Sequence, residues 1–317
     1  MFIDFSANRQ TAVARTSWDL AFSSKAGEFR VLLNSANGML VRATNKTDLG
    51  SVTTADTVGF GGQLSLGAIF GVATSVEDPA DLPAWILETT TWMDDPKGDI
   101  TKTAIASISA TDSENKVYIV NRGTGVSNAA LGWKKVRVTR DGDGYSLQYA
   151  DINSSTITTV KVAKNADTDL TYASMTSNST VGVEPAAADW DIAWTGFTNT
   201  TNFGPGTPSF PYYFQDVVIQ NTSGVATAQV LTATVSYDAF AEANLTGITF
   251  VDNNQINIGS SWRSTGPPPG PVGQKTDRFY LVKDAEGNIY KLMFTALTSD
   301  GERGKPSFKF DLVKKGS

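Results

Sequence analysis

The chain contains neither cysteine nor histidine in 317 residues. The first absence excludes disulfides, thiolate metal centres and a cysteine nucleophile. The second excludes a serine triad, the usual zinc ligand set and the side chain that most often serves as a base near neutral pH. Basic residues are in deficit too, since 26 Lys and Arg against 32 Asp and Glu leave a net charge of -6. Phosphate recognition needs a clustered cationic surface. The only basic clusters, Lys134-Lys135 and Lys314-Lys315, are short, so nucleic acid is not an expected partner. No stretch reaches the roughly 18 to 20 apolar residues of a membrane span. The sequence opens directly on an alternating strand at 1–5 with no signal peptide, which fits a cytoplasmic protein or one whose leader has been removed.

What is present is a repeat. Trp18-Asp19-Leu20-Ala21-Phe22 returns as Trp190-Asp191-Ile192-Ala193-Trp194, 172 positions on (190 minus 18). Similar partners follow in the same order: the run 115–123 parallels 277–287, and 132–138 parallels 288–294. Each half closes on an alternating strand, 145–152 and 307–313. The length suits two domains of about 150 residues, each able to bury a core. The expected organisation is therefore a tandem duplication of one antiparallel β unit, residues 1–163 and 170–317, divided at the polar, aperiodic stretch 163–169.

Thr, Val, Ser and aromatic residues alternate while turn residues recur at short intervals, the pattern of an all-β protein with minor helix. Hairpins are expected at 34–38 and at Asp141-Gly142-Asp143-Gly144, where glycine supplies positive φ. Helix is expected only around 80–87 and 237–243. The Pro- and Gly-rich stretches 203–213 and 264–273 read as rigid, extended loops outside the ladders.

The two Trp-Asp motifs, the run 279–294 with a Gly-Pro-rich stretch ahead of it at 266–271, and the closing Phe308-Lys309-Phe310-Asp311-Leu312-Val313 together resemble the HmuY family of haem-binding surface lipoproteins of Bacteroidetes. The resemblance covers nearly the whole second half and, more weakly, the first. It implies a β-rich, hand-like domain that is exported, lipid-anchored at the outer membrane, and carries a ligand instead of transforming one. It also implies haem held between two axial side chains, histidines in some members and methionines in others. One family histidine precedes the Gly-Pro stretch, where this chain reads Trp262-Arg263-Ser264-Thr265.

With His and Cys missing, Met is the remaining typical soft axial donor. Met93, between Trp92 and Asp94, is the candidate ligand, its alternative role being a plug at a core edge. Met175, which falls where the first half has Ile3, and Met39 read as packing. Tyr212 and Tyr213 are candidates for lining a cleft, or for leading into a core strand. Trp262 joins this ligand-binding set by position. Met293 alternates with Leu292 and Phe294 and matches Arg137 in the first half, so that both point to a face open to solvent or a partner. Trp18 and Trp190 read as core residues whose following Asp turns to the other side. Asp141 to Gly144 is a turn before it is a calcium loop, and Asp94, Asp95 and Glu302 are an unlocalised candidate carboxylate set.

The expected function is a non-enzymatic binding or accessory lipoprotein of the cell surface, with haem as a possible cofactor. The alternative is an interaction subunit that presents its sheets to an outer-membrane transporter or assembly complex without haem. A carbohydrate-active module comes third. Membrane association is expected only through a lipid anchor.

Overall fold

β-branched and aromatic residues at alternate positions favour short strands with two distinct faces, and the computed structural model builds nineteen of them among the described residues. Described are all residues except Gly61, Val126, Ser127, Phe203, Pro205, 267–271 and Ser317. The strands run β1 (Phe2–Asp4), β2 (Arg9–Thr11), β3 (Leu20–Ser23), β4 (Val31–Leu33), β5 (Leu40–Ala43), β6 (Tyr118–Asn121), β7 (Trp133–Asp141), β8 (Gly144–Ala150), β9 (Thr158–Val162) and β10 (Leu170–Ser174). They continue as β11 (Ser179–Val181), β12 (Ile192–Thr201), β13 (Phe210–Gln220), β14 (Ala226–Leu231), β15 (Arg263–Thr265), β16 (Val272–Gln274), β17 (Arg278–Lys283), β18 (Ile289–Ser299) and β19 (Glu302–Lys314). Two short helices, α1 (Leu66–Ala73) and α2 (Ala84–Glu88), interrupt them. The protein is all-β with minor helix.

The chain divides into two compact units, neither of which is a continuous half. The first unit holds 13–184 and 196–213; the second holds 1–12, 185–195 and 214–317. This corrects the division expected at 163–169, and the reason is an exchange of hairpins. β10 and β11, at the start of the second repeat, extend the sheet of β3 and β4 in the order β11-β10-β3-β4. β1 and β2, at the start of the first repeat, extend the sheet of β12 in the order β13-β12-β1-β2.

The Trp-Asp motifs make the exchange reciprocal. In the first unit the Asp19 N–H donates to Ala173 O at 2.9 Å and the Asp19 carboxylate accepts from the Met175 amide at 2.6 Å. In the second, the Asp191 N–H donates to Ile3 O at 2.8 Å and its carboxylate accepts from the Phe5 amide at 2.7 Å. Trp18 sits edge-on to Tyr172, and Trp190 edge-on to Phe2. The hairpin turns match as well, with Asn8 and Asn178 both at positive φ, a conformation Asn tolerates. By this correspondence Met175 is the counterpart of Phe5, not of Ile3. Asp19 and Asp191 are buried, which corrects the reading that they turn away from the core: they tie each motif to the other repeat's hairpin. A third member was not apparent in the sequence. Asn34 donates to Arg15 O and Trp18 O, and Asn221 donates to Ala187 O and Trp190 O.

The remaining strands repeat in register. β6 and β7 pair Tyr118 with Val136, and β17 and β18 pair Tyr280 with Leu292. In the order β5-β6-β7-β8-β9 the first unit turns Val120, Val136 and Leu147 toward the hairpin-bearing sheet, and Leu40 and Ile119 to the opposite side. In the order β14-β17-β18-β19 the second unit turns Tyr280, Val282 and Leu292 one way, and Phe279, Leu281 and Ile289 the other. Each outer face is covered by the segment between equivalent strands. A buried lysine pins that cover: Lys135 donates to Val52 O at 2.8 Å, and Lys291 to Tyr237 O at 2.8 Å. Lys135 is thus no part of a basic surface cluster.

Other local expectations need correction. The turn at 34–38 does not close a hairpin, because β4 and β5 belong to different sheets and a 3-10 turn over Ser35–Asn37 carries the chain between them. The hairpin at 141–144 forms with Gly142 at φ 59°. Helix α1 was unforeseen, since its run of apolar residues and glycine has no amphipathic period; Ser65 caps it by accepting from the Ala68 amide. The helix expected at 237–243 is reduced to a 3-10 turn at Glu242–Leu245. Residues 210–213 lie within β13, and 264–265 with 272–273 form part of the β15–β16 hairpin, so both Pro-rich stretches contribute to ladders. Phe203, Pro205 and 267–271 of those stretches lie outside the described residues.

Candidate functional site

Between β5 and β6 the first repeat carries a long insertion that packs Leu49, Val52, Leu64, Ile69, Ile86, Trp92 and Met93 onto the outer face of the sheet. Phe210, from the segment 196–213, completes this cluster. The apolar content of α1 exceeds what one face can bury. Ile69 and Ala73 go inward while Phe70 stays 40% exposed, with its ring centroid 5.4 Å from that of Tyr212, itself 36% exposed. Val58 and Leu87 are also exposed large apolar residues of the insertion.

Beside the C-terminal end of α1 lies an open groove of about 400 Å³, lined by Ala73, Glu77, Pro79, Leu82, Pro208 and Phe210 among others. Its electrostatic setting is one-sided. From Thr47 to Pro96 the chain has no Lys or Arg but eight acidic residues, and 196–213 has no charged side chain. Two of the eight are neutralised by cations that precede this stretch, Asp56 by Lys46 at 2.7 Å and Glu88 by Arg42 at 3.6 Å. The Lys46 hydrogen bond holds the Asp56 carboxyl below its ordinary range. Asp94 is internal: both oxygens accept backbone amides, from Leu33 and Ala104, and burial pushes it up to about 6. Glu77, Asp78 and Asp81 are exposed, and among the described residues none has a cationic partner. Burial of apolar surface and attraction of positive charge are the forces this groove offers.

The residues singled out in the sequence do not converge on one cavity. Met93 is 6% exposed inside the apolar cluster, so its thioether serves packing. The Tyr213 hydroxyl donates to Ala36 O at 3.0 Å and lies where a Cβ on Gly196 would stand, which is why that position takes glycine. Tyr212 flanks the exposed face of α1. Trp262 is buried in the second unit, stacked on Phe294 at 4.1 Å with its Nε1–H donating to Asp216 O at 3.1 Å. Its neighbour Arg263 donates to the same carbonyl, and Asp216 pairs with Arg303. Arg137 is half-buried and donates to Asn115 O and Asp112 O. Met293 is half-buried against the cluster of Tyr237 and Phe279. Asp94 and Glu302 belong to different units, and Glu302 pairs with Lys305.

Two further carboxyls are raised to about 7, Glu184 and Asp191, in each case chiefly by burial. Glu184 accepts from the Leu170 amide and the Tyr172 hydroxyl, Asp191 from the Phe5 amide. Their hydrogen bonds hold the exchanged hairpins. The groove was missed in the sequence although a signal existed, namely the 50-residue gap in Lys and Arg spanning an apolar run.

A haem would need an axial donor and cations for its two propionates. Met93 is committed to the core, Trp262 and Arg263 are buried and bonded to Asp216 O, and among the described residues the groove's only charged lining residue is Glu77. These residues do not fit the group. Compared with known proteins, the chain matches the family model described as HmuY protein over residues 1–310. No curated protein and no solved structure matches it.

Proposed function

The chain belongs to the HmuY family, and from that premise we propose that it is a non-enzymatic binding or accessory protein, lipid-anchored at the cell surface, whose occupant is a protein partner instead of haem. The observation that carries this reading is the groove of the first unit, lined mostly by apolar residues, with Glu77 on its wall and exposed Asp78 and Asp81 next to it in sequence. Such a surface favours a cationic or neutral apolar occupant over a dianionic porphyrin. An outer-membrane transporter or assembly complex is the class of partner that the surface location supports.

A haem titration tests it. Added to the purified protein at pH 7.5, haem is expected to give the broad, non-saturating Soret absorbance of weak surface association. A sharpened, shifted Soret band that saturates at one haem per chain, and that weakens in Met93→Ala or Tyr212→Phe, would restore haem binding and overturn the proposal.

A further inference from the structure

Resting on that reading, we propose that the groove beside α1 takes a basic peptide segment with an apolar anchor, presented by the partner protein. The occupant follows from the chemistry of the walls. Pro79, Leu82, Pro208 and Phe210 form an apolar floor in a groove of about 400 Å³, room for one or two large side chains. Glu77 lines the groove, and Asp78 and Asp81 follow it closely in sequence, all exposed and none neutralised by a cation among the described residues. Asp78 also accepts from the Ala80 amide, which fixes its carboxylate in place. Beyond the groove the partly exposed side chains of Phe70 and Tyr212 extend the apolar surface.

Charge complementarity selects the sign of the occupant. Arg42 and Lys46, which precede the stretch without Lys or Arg, are paired with Glu88 and Asp56, so an acidic segment would meet the unneutralised charge of Glu77 on the groove wall. A purely cationic segment would gain only the screened attraction of surface charges and leave the apolar floor uncovered. A segment that alternates basic and large apolar residues uses both features. Its binding should be fast and salt-dependent, as expected where complementary fields steer association.

The test uses the full chain and a fluorescein-labelled hexapeptide alternating lysine with leucine or tryptophan, followed by fluorescence polarisation. Two control peptides replace every lysine by glutamate, or every apolar residue by lysine. Saturable binding of the first peptide alone is expected, weakened at least about tenfold in Glu77→Lys/Asp81→Lys and several-fold in Phe70→Ser. Each substituted residue is exposed, and unchanged circular dichroism verifies the fold. Equal binding of the hexalysine control, unchanged affinity in the charge-reversed variant, or no saturable binding of the mixed peptide overturns the groove assignment. A haem titration on the same samples separates the two levels. Saturable haem binding sinks the proposed function, whereas failure of both peptide and haem to bind sinks only this occupant.

Discussion

Replacing Asp191 by Asn should make the protein's stability less dependent on pH, in a direction the duplication itself explains. In the first unit the buried Asp19 is compensated by Arg122 at 2.7 Å. The register that equates Tyr118 with Tyr280 puts Asp284 where the first unit has Arg122. Asp191 therefore faces the charges of Asp284, Asp4 and Glu286 while buried, and its carboxyl rises from 3.8 to about 7: burial is the largest cause, the Phe5 amide hydrogen bond opposes it, and the charge of Asp284 adds to the rise. Arg9, the nearby cation, is engaged by Asp4 and Asp189.

The folded form thus binds this proton more tightly than the unfolded chain does. Its contribution to stability is complete below about 3.8 and is lost as pH rises through about 7. At 1.36 kcal/mol per pH unit, the part lost between pH 5 and pH 8 is on the order of 3 kcal/mol. Asn keeps an oxygen for the Phe5 amide and cannot ionise. Urea titrations of wild type and Asp191→Asn at both pH values, with hydrogen exchange at the Phe5 amide as a local probe, should show the variant gaining on wild type by about that amount at pH 8. Glu184 and Asp94, also raised, are common to both proteins and cancel in the difference. A wild-type to variant difference that is the same at both pH values would refute the reasoning.

Trp190→Ala should cost on the order of 3 to 5 kcal/mol, as for other large aromatics truncated in a packed core. Trp18→Ala, at a half-buried position, should cost roughly half as much because less area leaves water; equal losses in denaturant titrations would count against the difference in burial. A chain starting at Val13 should lose cooperative unfolding of the second unit, whose core needs Ile3 and Phe5, while the first unit persists. A synthetic peptide of residues 1–12 should restore it, and recovery of a fully native second unit without the peptide would contradict the hairpin exchange.

The sequence by itself determined the class, the duplication and much of the register. Alternation shows which residues share a strand face, so the equivalence of Val136 and Leu292 was legible from the 132–138 and 288–294 runs alone. That information is local. Which strand a hairpin joins is not, because antiparallel pairing leaves β1–β2 compatible with either β3 or β12 and only long-range packing chooses between them. The choice turns Asp19 and Asp191 from ordinary acidic residues into buried anchors and moves the unit boundary away from 163–169. The candidate residues follow the same division. Met93 looked like a loop methionine until the insertion folded over it, and Arg137 and Met293 looked outward until segments from outside their strand covered them. Residue type and spacing specified the components, whereas the tertiary structure decided which carboxylates lost water and which apolar surface of α1 remained exposed, because burial depends on every segment that packs against a residue.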